Sequence, residues 1–170
     1  MTKAINKFTS ETRPTVVVIG YGNPHRGDDA IGDTVVSRLH ALKMSNLKAY
    51  SVTQLTPELS GKLAAADIAI FVDACKLNNV DTVRIKSVDA CGSETAGSAV
   101  PAFGHSCDPC SLLALTYSAY GHYPQAWWIE VPASDFIKGQ PLSELAEYGI
   151  AQALAEIKEL ITSGAKSQSS

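Results

Sequence analysis

The chain has 170 residues, of which 45% are apolar and 18% charged, and its net charge is −3. That length suits one core of ordinary domain size, and the apolar share excludes a disordered chain. An acidic balance without a basic stripe argues against nucleic-acid binding by phosphate neutralisation. No apolar run approaches the roughly 20 residues of a membrane helix.

Residues 1–14 are polar and mixed in charge, without the apolar centre of a signal peptide, so a cytoplasmic chain is expected. Residues 1–14 and 164–170 read as flexible tails around a domain over 15–163. The run Val16-Val17-Val18-Ile19, closed by Gly20, has the continuous β-branched character of a strand buried on both faces. A loop from Tyr21 to Gly27 follows. Ile31, Val35, Leu39 and Leu42 then recur at helical spacing. Leu47 to Val52 reads as a second strand. Thr56-Pro57-Glu58 has the order of an N-cap, a proline at N1 and a first-turn acid, opening a short helix to about Ala66.

Ile68 to Val72 is a third strand, ending at Asp73. From Thr82 to Val88 apolar and polar residues alternate, as in a half-exposed edge strand. Ala90 to Gly104 is a long Gly/Ser/Ala loop, of a length often tied to function. Asp108-Pro109 can cap a helix running to about Tyr120, and Ala126 to Val131 reads as a strand. Ser143 can cap a last helix whose stripe is Ala146, Ile150, Leu154, Ile157 and Ile161, ended by Gly164. The order β-α-β-α-β-β-α-β-α predicts an α/β three-layer sandwich. Its mostly parallel, twisted sheet has about five strands and carries helices on both faces. Ligands of such sheets sit beyond the carboxyl ends of the strands, which selects the loop after Gly20, Asp73 and Glu130.

Gly20-Tyr21-Gly22-Asn23-Pro24-His25-Arg26-Gly27-Asp28-Asp29 is not a G-x-G-x-x-G turn, and its two acids would repel a pyrophosphate. Asp28 is expected to cap the helix that follows, which leaves Asp29 free to face a ligand. Gly22, Asn23 and His25 lie in the same loop and are the expected substrate contacts. Asp73 ends a buried strand, where a carboxylate needs partners. His105 stands between the long loop and a helix start. Asp29, Asp73 and His105 together form a two-carboxylate, one-imidazole set able to hold a borderline divalent metal with coordination positions open. A competing motif is Cys107-Asp108-Pro109-Cys110, which suggests a thiol-disulfide or zinc-binding protein. Four cysteines are too few for a disulfide scaffold in a chain this long, so reduced thiols are expected.

Several segments together resemble the [NiFe]-hydrogenase maturation endopeptidases. They are Val16 to Gly32 (VVVIGYGNPHRGDDAIG), Phe71-Val72-Asp73-Ala74, Gly104-His105-Ser106, Ile129-Glu130-Val131-Pro132 and Gly139-Gln140-Pro141-Leu142-Ser143, in the family's order over residues 15–162. The resemblance implies a cytoplasmic α/β peptidase that removes a C-terminal peptide from the nickel-loaded hydrogenase large-subunit precursor. The family's metal-contacting acid, Asp and His carry over to Asp29, Asp73 and His105, with Asp29 and Asp73 as the catalytic carboxylates. The nickel belongs to the precursor, with zinc or cadmium as surrogates, and no tightly bound cofactor is implied. The precursor is the expected partner, and the protease a monomer with neither nucleic acid nor membrane as partner. Where many members follow the His with Gln, this chain has Ser106-Cys107-Asp108-Pro109-Cys110.

Overall fold

A computed structural model describes residues 13–76, 81–92 and 107–163. The expectations for the tails, for most of the long loop and for His105 lie outside the described residues. Five strands, β1 (Val16–Tyr21), β2 (Leu47–Val52), β3 (Ile68–Cys75), β4 (Arg84–Val88) and β5 (Gln125–Pro132), form one sheet in the order β2-β1-β3-β5-β4. The pairs β1–β2, β1–β3 and β3–β5 are parallel, and β4 joins β5 antiparallel at one edge. The edge position accounts for the alternation read from Thr82 to Val88: Val83 and Ile85 are half-buried, Arg84 and Lys86 exposed.

Four helices, α1 (Ile31–His40), α2 (Ser60–Ala64), α3 (Pro109–Tyr120) and α4 (Glu144–Ser163), cover the two faces. Period-two alternation along the strands divides the core in two. Val16 and Val18 of β1 pack with Ile31 and Val35 of α1 and with Ile150 and Ile157 of α4. Val17 and Ile19 point the other way, to Leu63 of α2 and Leu112 and Leu113 of α3. This is the three-layer arrangement expected of the β/α order.

The caps follow their chemistry unevenly. Asp108 accepts the Ser111 N–H at 2.8 Å and Pro109 opens α3. Ser143 Oγ accepts the Ala146 N–H at 3.1 Å at the start of α4. Thr56 makes no side-chain cap, although Pro57 and Glu58 do form the first turn entering α2. Leu42 lies beyond α1 and is 40% exposed, outside the stripe it extends in sequence. In α4 Leu154 is only half-buried, and Ala153 lies fully in the core.

One glycine pair sets how closely α1 lies on β1. A Cβ on Gly32 would fall 2.8 Å from the Gly20 carbonyl carbon and 2.5 Å from the Tyr21 nitrogen, closer than real Cβ atoms approach backbone. The two backbones touch here because neither residue has a side chain. Gly32→Ala is expected to destabilise the protein by about 2 kcal/mol, the typical overpacking cost. A urea midpoint unchanged from wild type would remove this close packing as a requirement of the fold.

Candidate active site

The strand order reverses direction at β1. The connection through α1 carries the chain to β2 on one side, and the next, through α2, returns it to β3 on the other. Open α/β sheets bind ligands at such a point, beyond the carboxyl ends of the flanking strands. Here β1 ends at Tyr21, and β3 carries Asp73 among its last paired residues, running two residues past the expected end to Cys75. Gly20 pairs with Val72 in the β1–β3 register, so the two residues that follow face each other across the crevice. On the other side of β3, Asp73 pairs with Glu130 of β5.

The loop after β1 brings Asp29 under this edge. Gly22 has φ +140°, and a Cβ there would sit 2.9 Å from Asp29 Oδ1. Only glycine admits both the turn and the carboxylate. Asn23 N–H donates to Asp29 Oδ2 at 2.7 Å, and Asn23 Oδ1 accepts the His25 N–H at 2.9 Å, an Asx turn that shapes the loop. Asp29 itself sits in a 3-10 turn, Gly27–Ala30, through which the chain enters α1. His25 is exposed, and its carbonyl accepts the Gly139 N–H at 3.0 Å. The loop thus sets Gly22 and Asn23 against Asp29 and leaves His25 exposed.

Asp28 departs from its expected role. It does not cap α1, whose N-cap residue Ala30 makes no side-chain bond. Its carboxylate is 1% exposed and accepts three hydrogen bonds, from Ser134 N–H at 2.6 Å, Ser143 N–H at 2.8 Å and Ser143 Oγ–H at 2.6 Å. The 3-10 turn orients Asp28 inward, where it ties the first loop to the segment between β5 and α4.

Burial pushes the Asp73 carboxyl up to about 7 from the ordinary 3.8. The negative charges of Asp29 and Glu130 add to that rise, and hydrogen bonds from the Tyr21 phenol and the Ala74 N–H oppose it. The Tyr21 phenol is itself driven well above its ordinary value, by burial first and then by the charge of Asp73. It therefore stays protonated and donates to Asp73. Glu130 is held by Arg84 Nη2 at 2.9 Å and Lys86 Nζ at 3.3 Å. Those cations come from one face of β4, where Arg84 lies opposite Glu130 and Lys86 opposite Trp128. Asp29 and Asp73 repel each other electrostatically, and neither forms an ion pair with a cationic side chain among the described residues. Such a pair suits a divalent cation, which would relieve both the burial and the repulsion.

Tyr21, Arg84 and Lys86 escape a reading by motif. Tyr21 meets Asp73 through the register of two strands about fifty residues apart, and the only hint in sequence is a polar-tipped residue ending a buried run. Tyr21→Phe removes a bond made to the ionised carboxylate, so the Asp73 pKa is expected to rise above about 7. Carboxyl-carbon NMR titration of the metal-free protein checks this; an unchanged or lower value would show that the phenol does not act on Asp73.

The cysteine motif is corrected. Cys107 and Cys110 do not pair: Cys107 Sγ donates to the Leu55 carbonyl at 3.5 Å, whereas Cys110 forms a disulfide with Cys91, 19 positions away. Cys75 and Cys107 are free thiols, so the expectation of four reduced cysteines also fails. Helix α3 starts at Pro109, which turns Cys110 toward the end of the β4 segment while Cys107 stays before the cap.

No family profile matches the sequence, and neither does any curated protein. Solved structures do match the fold. A [NiFe] hydrogenase maturation protease, HycI, from Thermococcus kodakarensis KOD1 superposes with a TM-score of 0.66 at 23% identity, covering 93% of this chain and 99% of its own. The hydrogenase maturating endopeptidase HybD from Escherichia coli gives 0.65 at 24% identity, over 88% and 94% of the two chains. A hydrogenase 2 maturation peptidase from Thaumarchaeota archaeon SCGC_AB-539-E09 gives 0.64 at 22% identity, over 85% and 96%. The α/β sandwich of this chain is thus the fold of these three proteins over nearly their whole length.

Proposed function

We propose that the chain is an endopeptidase of [NiFe]-hydrogenase maturation, removing a C-terminal peptide from the nickel-loaded large-subunit precursor. The observation that carries this reading is the Asp29–Asp73 carboxylate pair at the reversal point of a fold shared with several maturation proteases. The ordered motifs from Val16 to Ser143 support it from the sequence. Nickel enters as part of the substrate, held by the precursor. Asp29 and Asp73 contact it together with His105, assigned on sequence grounds, and so bring the scissile bond into the crevice. Zinc or cadmium can stand in for nickel at these carboxylates.

A carboxylate beside the metal can serve as the general base. Asp73 takes the proton of the attacking water and returns it to the departing amide nitrogen. Tyr21 holds the Asp73 carboxylate in place, and Gly22, Asn23 and His25 line the approach for the substrate backbone. No described helix is long and apolar enough to cross a membrane. The same reading places the protein in the cytoplasm as a monomer.

The experiment is incubation of the chain with candidate large-subunit precursors, with and without nickel, followed by intact mass. The expected result is loss of one C-terminal peptide from the nickel-loaded form alone. A panel of nickel-loaded precursors left uncut would overturn the assignment.

A further inference from the structure

The cysteine pair at the start of α3 has no part in the proposed peptidase chemistry. Cys91 lies three residues beyond β4 and Cys110 is the second residue of α3. Their Cα atoms are 5.0 Å apart and their sulfurs are bonded. The Cys91 N–H also donates to the Cys110 carbonyl at 3.0 Å, so the two backbones are held together independently of the sulfurs. Breaking the S–S bond therefore leaves two thiols still facing each other.

A carboxylate oxygen of Asp108 completes a group of three donor atoms, all within 4.8 Å of one another. One oxygen of Asp108 caps α3 through the Ser111 N–H, which leaves the other for a ligand. Among the described residues no cationic side chain pairs with Asp108. Cys91 and Asp108 are exposed and Cys110 is half-buried, so solvent, a reductant and an ion all have access.

We propose that Cys91, Cys110 and Asp108 form a reversible site: a disulfide when oxidised, and a dithiolate–carboxylate site for one zinc-class divalent ion when reduced. Two thiolates select soft or borderline ions over magnesium or calcium, and a carboxylate is a regular third ligand. The fourth tetrahedral position is left to water. In the switch an external dithiol gives two electrons and two protons to the Cys91–Cys110 bond and itself becomes a disulfide. The ion then displaces the two thiol protons as it binds. Cys107 takes no part, because its thiol is engaged by Leu55.

The test uses the full chain, reduced with a dithiol, desalted without air and titrated with cobalt(II). The thiolate-to-cobalt charge-transfer band is the readout. The carboxylates Asp29 and Asp73 contain no sulfur, so the band is blind to them. The expected result is a band that saturates at one equivalent in the reduced protein, is absent before reduction and is lost in Cys91→Ser. Cys107→Ser should leave it intact. Asp108→Asn keeps a good N-cap and should weaken cobalt binding by about 10-fold or more, on the scale of a lost metal-site partner. The proposal is overturned by reduced wild-type protein without the band, by a band that survives Cys91→Ser, or by alkylation of all four cysteines before reduction. Should Cys91→Ser not fold, the comparison of reduced with unreduced wild type, together with Asp108→Asn, decides.

Discussion

Asp73→Asn is expected to reduce cleavage of a nickel-loaded precursor by about 10³-fold, within the range for loss of a general base, while making the metal-free protein more stable at pH 8. The second half follows from the carboxyl's folded value of about 7 against 3.8 when unfolded. Between those values the folded state binds more protons than the unfolded state. Stability therefore falls as pH rises from about 4 to about 7 and levels off above. Below pH 4 the group is protonated in both states and the penalty vanishes. The full penalty would approach about 4 kcal/mol, and the partial exposure of the site brings it to about 2 kcal/mol. Asn carries no charge, so the variant should lose that slope and gain about that much at pH 8. Urea melts from pH 4 to 8 check the stability, and intact mass the cleavage. A variant that cuts at the wild-type rate would remove Asp73 from the reaction; an unchanged slope would place the titration elsewhere.

Asp28→Ala is expected to cost about 4 kcal/mol, the largest stability effect of any side chain near the crevice. Three donors converge on one carboxylate that is 1% exposed. Removing it leaves the part-buried Ser134 and Ser143 amides without their acceptor. Each bond to a charged group contributes roughly 1.5–3 kcal/mol, and orphaned donors add their desolvation. Asp28→Asn tests the same point with less volume change. Its amide offers one acceptor oxygen where the carboxylate has two, so a loss of about 2 kcal/mol is expected. Because Ser143 also caps α4, the first turn of that helix should lose hydrogen-exchange protection with the variant. A loss below about 1 kcal/mol for Asp28→Ala would mean that the segment between β5 and α4 is held by other contacts.

The sequence by itself determined the order of the elements and the layered class of the fold. Continuous apolar runs at Val16 and Ile68, helical spacing from Ile31 and the alternation at Arg84 are local signals, set by residues two to four positions apart. It also placed Asp29 and Asp73 at the carboxyl edge, since the β/α order dictates where a parallel sheet gathers its ligand-facing loops. Tertiary structure decided every partner across a long separation. Asp28 looks like a cap because capping is the local use of an acid at a helix start. Ser143, 115 positions away, takes it instead once β5 and α4 pack beside the first loop. Cys107 and Cys110 look like a pair because they are neighbours in the chain. Helix α3 turns them apart, and the β4 segment delivers Cys91 to Cys110. Tyr21 meets Asp73, and Glu130 meets Arg84 and Lys86, only through strand register. Register depends on how whole strands bury their two faces, a property that no local window of residues contains.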